Sequence, residues 1–227
     1  NYFIQEFDFF PIQITSGSGN LYTPVTGASA AFQARDASEA MAGINGTEKA
    51  LGVASLNTGS TTTGRAGAGW GGAQGAASLV IARQELIYGV RQNVYILGTV
   101  TENFTVWTGF MDIITAQPTN GAYFRYNYNV NGGRWEYCTT VASATTAADT
   151  GVAPTAGVYQ VLEIKVTKDA TPVATFYIDG TLVGTITGGL PTGGLLAMSN
   201  ILKSAGSTGR DVPIDAMYLA TERLSAR

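Results

Sequence analysis

With 227 residues, 45% of them hydrophobic and only 13% charged, the chain can fill one large core but has little charge to solvate its outside, so its surface must be Thr, Ser, Asn and Gly. A net charge of −3 with singly scattered Lys and Arg excludes the basic footprint of a nucleic-acid binder, and one cysteine excludes an internal disulfide framework. The lack of any histidine removes Ser-His-Asp and Cys-His catalysis and every His-ligated metal site.

No Pro-rich or charge-rich linker divides the sequence, so residues 1–227 are read as a single domain. No apolar run approaches the roughly 18 to 20 residues that cross a bilayer, since Leu79 to Leu97 is broken by Arg83, Gln84, Glu85 and Arg91, and membrane insertion is not expected. The start has no signal-peptide pattern, and Asn1 in first place is what a fragment or a processed chain would show.

In chain order, Tyr2 to Phe10 has strand composition and stops at Pro11, and Ser16 to Gly19 turns the chain. Ala30 to Phe32 is read as a short strand, and Arg35 to Met41 as the one plausible helical turn. Leu51 to Leu56 is a strand, followed by a polar loop from Asn57 to Gly64. Ala66 to Gly75 carries five glycines around Trp70, too loose for a regular strand interior. It is no phosphate loop, because it lacks Gly-Lys-Ser/Thr and leads into the strand-like Ala76 to Ala82 rather than a helix. Glu85 to Leu97 and Thr105 to Ile114 read as long strands, the second amphipathic around Val106, Trp107, Phe110 and Ile113.

Asn120 to Val141 alternates large and polar side chains on both sides of Gly132-Gly133, the pattern of a β-hairpin. A two-residue turn at the glycines sets Val130 opposite Trp135, Tyr128 opposite Tyr137 and Phe124 opposite Val141. One face is then aromatic, with Phe124, Tyr126, Tyr128, Trp135 and Tyr137 as core. The other holds Tyr123, Arg125, Asn127 and Asn129 with Glu136, Cys138 and Thr140. Ala142 to Gly157 reads as a low-complexity Ala/Thr connection in which Pro154 discourages a central strand. Val158 to Lys168 is a half-buried strand with Leu162, Ile164 and Val166 on one side. Val173 to Ile186 is a second hairpin turning at Asp179-Gly180, with Phe176 opposite Val183. Leu195 to Ile201 and Val212 to Ala220 complete a count of about a dozen strands, with turns at the spacing of an all-β, two-sheet sandwich. Asp149, Asp179 and Asp211 are read as turn residues, and no Asp-x-Asp-x-Asp-Gly calcium loop is present, so no cofactor or metal is expected.

Leu56 to Arg65, Thr119 to Tyr126 with Gly133-Arg-Trp135, Phe176 to Val183 and Lys203-Ser-Ala-Gly206, taken together, resemble a lectin-like domain of bacteriophage virion proteins. The resemblance implies a concanavalin A-like jelly-roll β-sandwich of two antiparallel sheets, carried by a tail fibre, tail spike or capsid decoration protein on the virion surface. It also implies other virion proteins and further copies of the chain as partners, in a homo-oligomer such as a trimer. It does not identify a ligand, since fold does not fix function, and host cell-surface polysaccharide is the candidate partner.

The same superfamily contains glycoside hydrolases and alginate lyases. Its glucanases use a Glu-x-Asp-x-x-Glu run that is missing here, where Asp112 and Glu136 stand singly and Lys165 follows Glu163. Arg83-Gln-Glu-Leu86 and Tyr123 to Asn129 resemble lyase motifs, but the second tyrosine arrives one residue early at Tyr128 and the catalytic His has no counterpart. The chain is therefore read as non-enzymatic, with Tyr123, Arg125, Asn127, Asn129 and Glu136 as the candidate glycan-binding face. The competing reading is a decoration protein making only protein contacts, with these same residues as a solvated or subunit-facing surface.

Overall fold

The structure, a computed structural model, describes residues 2–8, 20–21, 32–33, 54–70, 79–81, 83–113 and 116–222. The helical turn expected at Arg35 to Met41 and the turn at Ser16 to Gly19 lie outside these residues.

Sixteen strands are described, all paired antiparallel. The first sheet contains β1 (Tyr2–Asp8), β4 (Ala54–Asn57), β7 (Leu86–Gln92), β12 (Gln160–Val166), β13 (Val173–Ile178), β14 (Thr181–Thr187) and β16 (Asp211–Glu222). It runs in the order β1-β16-β7-β12-β13-β14, with β4 also on β16. The second contains β5 (Arg65–Trp70), β6 (Leu79–Val80), β8 (Phe104–Met111), β9 (Gly121–Asn127), β10 (Trp135–Val141), β11 (Ala144–Asp149) and β15 (Gly194–Lys203). Its order is β11-β10-β9-β8-β15-β5, with β6 also on β15. A two-strand ribbon, β2 (Asn20–Leu21) with β3 (Phe32–Gln33), pairs with neither sheet, and β3 lies against β5.

The core is the space between the sheets. Leu162, Ile164 and Val166 of β12 point into it, as their alternation with Glu163 and Lys165 predicts. Phe124 meets Phe176 of the other sheet edge-on at 5.3 Å between centroids, and Tyr88 meets Phe110 at 5.9 Å. Among the described residues, three buried hydrogen bonds cross the gap. Trp135 Nε1 donates to Gln160 Oε1 at 2.9 Å, Ser199 Oγ donates to Gln92 Oε1 at 2.7 Å, and the Tyr88 and Thr108 hydroxyls meet at 2.9 Å.

The central hairpin forms with a different register from the expected one. Trp135 pairs with Tyr126, Glu136 with Arg125 and Tyr137 with Phe124. The reason lies in Asn127, whose Oδ1 accepts the Asn129 N–H at 2.8 Å and so starts the turn early. The loop then passes through a 3-10 turn, Asn131–Gly133, whose three residues all have positive φ, between 50° and 75°. The displacement is even, so inward and outward assignments survive, but Tyr128 leaves the core for the turn, where it is 38% exposed.

Three further expectations are corrected. The Ala/Thr stretch after the hairpin contains a strand, β11, joined to β10 by a tight turn with Ala142 and Ser143 at positive φ. The described part of the glycine-rich stretch, up to Trp70, belongs to β5, because Gly69 allows the backbone to pass close to β15: a Cβ there would stand 2.4 Å from Met198 Cβ. In the second hairpin Asp179 and Gly180 make the turn, but a bulge on β14 sets Phe176 opposite Gly184 rather than Val183. Tyr137 of β10 lies over Gly184, so β11 and β14 end their sheets on the same side of the sandwich.

Candidate functional site

The outer face of the second sheet, turned away from the core, receives alternate residues of six neighbouring strands. Register aligns Asn200 of β15, Trp107 of β8, Arg125 of β9 and Glu136 of β10 in one row, with Gly67 and Asp149 at its two ends. The next row is apolar, and Met198, Tyr123 and Cys138 within it are fully buried.

Arg125 and Glu136 face each other directly. Arg125 Nε donates to Glu136 Oε2 at 2.6 Å, and Asn131 Nδ2 donates to Oε1 at 2.7 Å, so both carboxylate oxygens are held. Burial opposes the Arg125 charge, but the bond to Glu136 and the electrostatic attraction of Cys138, Glu136 and Tyr123 together outweigh it and hold the guanidinium above its ordinary range. With Nε fixed in this way, the two Nη groups are the part of Arg125 left to meet a ligand. Trp107, beside it, is 4% exposed, and its indole N–H is buried without a hydrogen-bond partner.

Of the five residues read from the sequence, Arg125 and Glu136 are brought together, and Tyr123 stands two positions along the same face. Tyr123 is fully buried, its hydroxyl 2.6 Å from Thr140 Oγ1, and burial raises its phenol above the ordinary value. Asn127 is engaged within the fold, its amide donating to Thr105 Oγ1 at 2.7 Å and its carbonyl accepting the Asn129 N–H. Asn129 is exposed in the turn. The sequence pattern does not point to Asn131, Trp107 or Asn200 as site residues, and it groups Trp107 with Val106 in one amphipathic strand. Yet every residue of β8 is buried, so the strand offers no alternation from which to tell its faces.

Burial pushes the Cys138 thiol up to about 12, which keeps it protonated. At the open end of the row, Asp149 pairs with Arg134 at 2.5 Å. The two stretches resembling lyase motifs are separated: Arg83 to Leu86 leads into β7 of the first sheet, whereas Tyr123 to Asn127 lies on β9 of the second. Among the described residues, no group of three or more Cys, Asp or Glu is placed to hold a metal ion.

Two stacked antiparallel sheets with this strand order define a concanavalin A-like β-sandwich, the class that contains both lectins and glucanases. The chain belongs to the family described as SO2946-like, C-terminal domain, whose model matches residues 49–215. A solved structure from Shewanella oneidensis MR-1, the protein of unknown function SO2946, is similar over 100% of this chain and 89% of its own, at 13% identity and a TM-score of 0.63. The Emp47p carbohydrate recognition domain is similar over 93% of this chain and 94% of its own, at 9% identity and a TM-score of 0.58. An endo-1,3-β-glucanase from Streptomyces sioyaensis is similar over 98% and 97%, at 11% identity and a TM-score of 0.52. No curated protein matches the chain.

Proposed function

We propose that the chain is a non-catalytic carbohydrate-binding module of a bacteriophage virion surface protein, working as a homo-oligomer in host attachment, and that it holds glycan at Arg125. The observation carrying this reading is the row itself, where Glu136 fixes Arg125 through Nε and the guanidinium side chain keeps part of its surface open. Sugar hydroxyls accept from such a donor. Emp47p, whose domain is named for carbohydrate recognition, lends the fold a precedent.

The non-catalytic part rests on chemistry. Glu136 has both oxygens engaged by Arg125 and Asn131. A glycosidase needs a second carboxyl about 5 Å away or somewhat farther, and the neighbouring Asp149 is bound to Arg134. The virion setting rests on the sequence resemblance and on a surface with few charges to resist close neighbours.

A glycan array and a host-cell pull-down with the purified chain test the reading. Binding that Arg125→Ala abolishes while circular dichroism is unchanged is the expected result. A folded chain that binds no glycan, or that releases reducing ends or unsaturated sugars from host polysaccharide, overturns it. Antibody labelling of phage particles checks the location, and light scattering checks the number of copies.

A further inference from the structure

The tip of the central hairpin carries an Asn-Gly pair, Asn131 and Gly132, and both residues are exposed. In such a pair the glycine nitrogen can attack the side-chain carbonyl carbon of the asparagine, because glycine has no Cβ to block the approach. Nothing lies within 4 Å of where a Cβ on Gly132 would stand. The turn is closed by Gly133 N–H to the Val130 carbonyl at 3.0 Å and by Arg134 N–H to the Asn131 carbonyl at 3.4 Å, so no hydrogen bond among the described residues holds the Gly132 N–H. The peptide unit that must rotate to bring nitrogen and carbon together, Asn131 C=O with Gly132 N–H, is therefore restrained by one long bond. Asn131 also sits at a φ of 50°, a conformation that costs a residue with a Cβ, so leaving it is easy.

A second Asn-Gly pair, Asn120 and Gly121, has the same chemistry in a closed setting. Gly121 is buried and paired with Met111 of β8 on one side and Thr140 of β10 on the other, and a Cβ on it would stand 2.5 Å from the Phe110 carbonyl oxygen. The Asn120 amide is held from both ends, donating to Asp112 Oδ2 at 2.9 Å and accepting the Ala142 N–H at 3.0 Å. Asn131 has one side-chain tie, from Nδ2 to Glu136 Oε1 at 2.7 Å, and that tie is what gives a change at Asn131 its consequence.

We propose that Asn131 is a site of spontaneous deamidation coupled to the Arg125 and Glu136 pair. The Gly132 nitrogen gives up its proton and bonds to Asn131 Cγ, the Cγ–Nδ2 bond breaks, and ammonia leaves with that proton. Water then opens the five-membered imide to aspartate or isoaspartate, so one water is consumed for each ammonia released and nothing is oxidised or reduced. Either product turns the donor that held Glu136 into a carboxylate. Two like charges then face each other across a former hydrogen bond, and Glu136 is only 5% exposed, so little solvent screens them. Glu136 is left with Arg125 as its one partner and is pushed from the place where it fixes that guanidinium. The modification needs no ligand; only its effect on glycan binding rests on the function proposed above.

Peptide mapping by mass spectrometry, after the full chain has stood at mildly alkaline pH, tests the site. The amide-to-acid mass shift should build up at Asn131 roughly tenfold faster than at Asn120, where at least one strand hydrogen bond must first be given up. Asn131→Gln, whose longer side chain does not close the five-membered ring, should stay unmodified at that position. The modified form, separated by ion exchange on its added negative charge, and Asn131→Asp should both melt below the unmodified chain. If Asn131→Asp does not fold, the separated form decides the matter. No conversion at Asn131, or conversion at Asn120 just as fast, overturns the site. An unchanged melting temperature in the separated form overturns its coupling to Glu136. Neither result turns on whether the chain binds glycan, so the Arg125 reading stands or falls separately.

Discussion

Trp135 and Gln160 join the two layers through a single buried hydrogen bond, indole N–H to amide oxygen at 2.9 Å, with Trp135 only 1% exposed. An apolar core would normally exclude such a pair, and its geometry fixes how one sheet sits on the other. Replacing Gln160 with Leu leaves the indole donor buried without a partner. We expect a loss of roughly 1–3 kcal/mol, read as a lower urea midpoint at unchanged slope.

Gly109 has a φ of 145°, and a Cβ there would stand 2.5 Å from the Ala122 carbonyl oxygen and 2.7 Å from Tyr123 Cα. Both obstacles are backbone, so neither can rotate aside. Gly109→Ala should destabilise the protein by about 2–4 kcal/mol. Gly132, at φ 64° with nothing within 4 Å of its Cβ, is the control, and Gly132→Ala should cost about 1–2 kcal/mol. Thermal denaturation of the two variants side by side checks the ranking.

Two carboxylates tie loops at opposite ends of the sandwich. For Glu102, burial alone would raise the carboxyl, but the Ser207 and Thr208 N–H groups, the Thr208 hydroxyl and Arg210 together hold it below its ordinary range. For Asp112, burial is likewise outweighed, here by Thr119 and Asn120. A carboxyl lowered in the folded state contributes stability that is complete above its unfolded value, about 4, and is lost as pH falls through the folded value. The melting temperature should thus decline below roughly pH 4. Glu102→Gln and Asp112→Asn should each lower it at pH 6 and flatten the acid limb.

Cys138 lies in the buried apolar row with its thiol pushed up to about 12. At pH 8 its thiolate fraction is roughly a thousandfold below that of a free cysteine. The native protein should leave a chromogenic disulfide reagent unreacted over hours, and the urea-unfolded chain should consume one equivalent within minutes.

The legible parts of the sequence were those with one face wet and one dry. β12 announced its inner residues because Glu163 and Lys165 interrupt Leu162, Ile164 and Val166. β8 concealed its faces because both are buried, and Trp107 went unrecognised as an outward residue for that reason. β11 was missed because an exposed edge strand of Ala and Thr has no apolar period. Alternation placed Arg125 and Glu136 on one face, but their direct pairing followed from the early turn at Asn127, a local hydrogen bond that alternation does not encode. The row with Trp107 and Asn200 is assembled from strands far apart in sequence, so only the fold discloses it.

β11 has a consequence for how the molecule meets its own kind. Sheet margins are usually guarded by lysine, proline or a bulge that deters further pairing. β14 has its bulge, whereas β11 pairs with β10 in unbroken register and offers only Ala144, Thr145, Thr146, Ala147, Ala148 and an Asp149 already neutralised by Arg134. Nothing in that strip repels an incoming strand, so crowding at high local concentration should extend the second layer sideways, and a lysine at Thr146 is the simplest way to stop it.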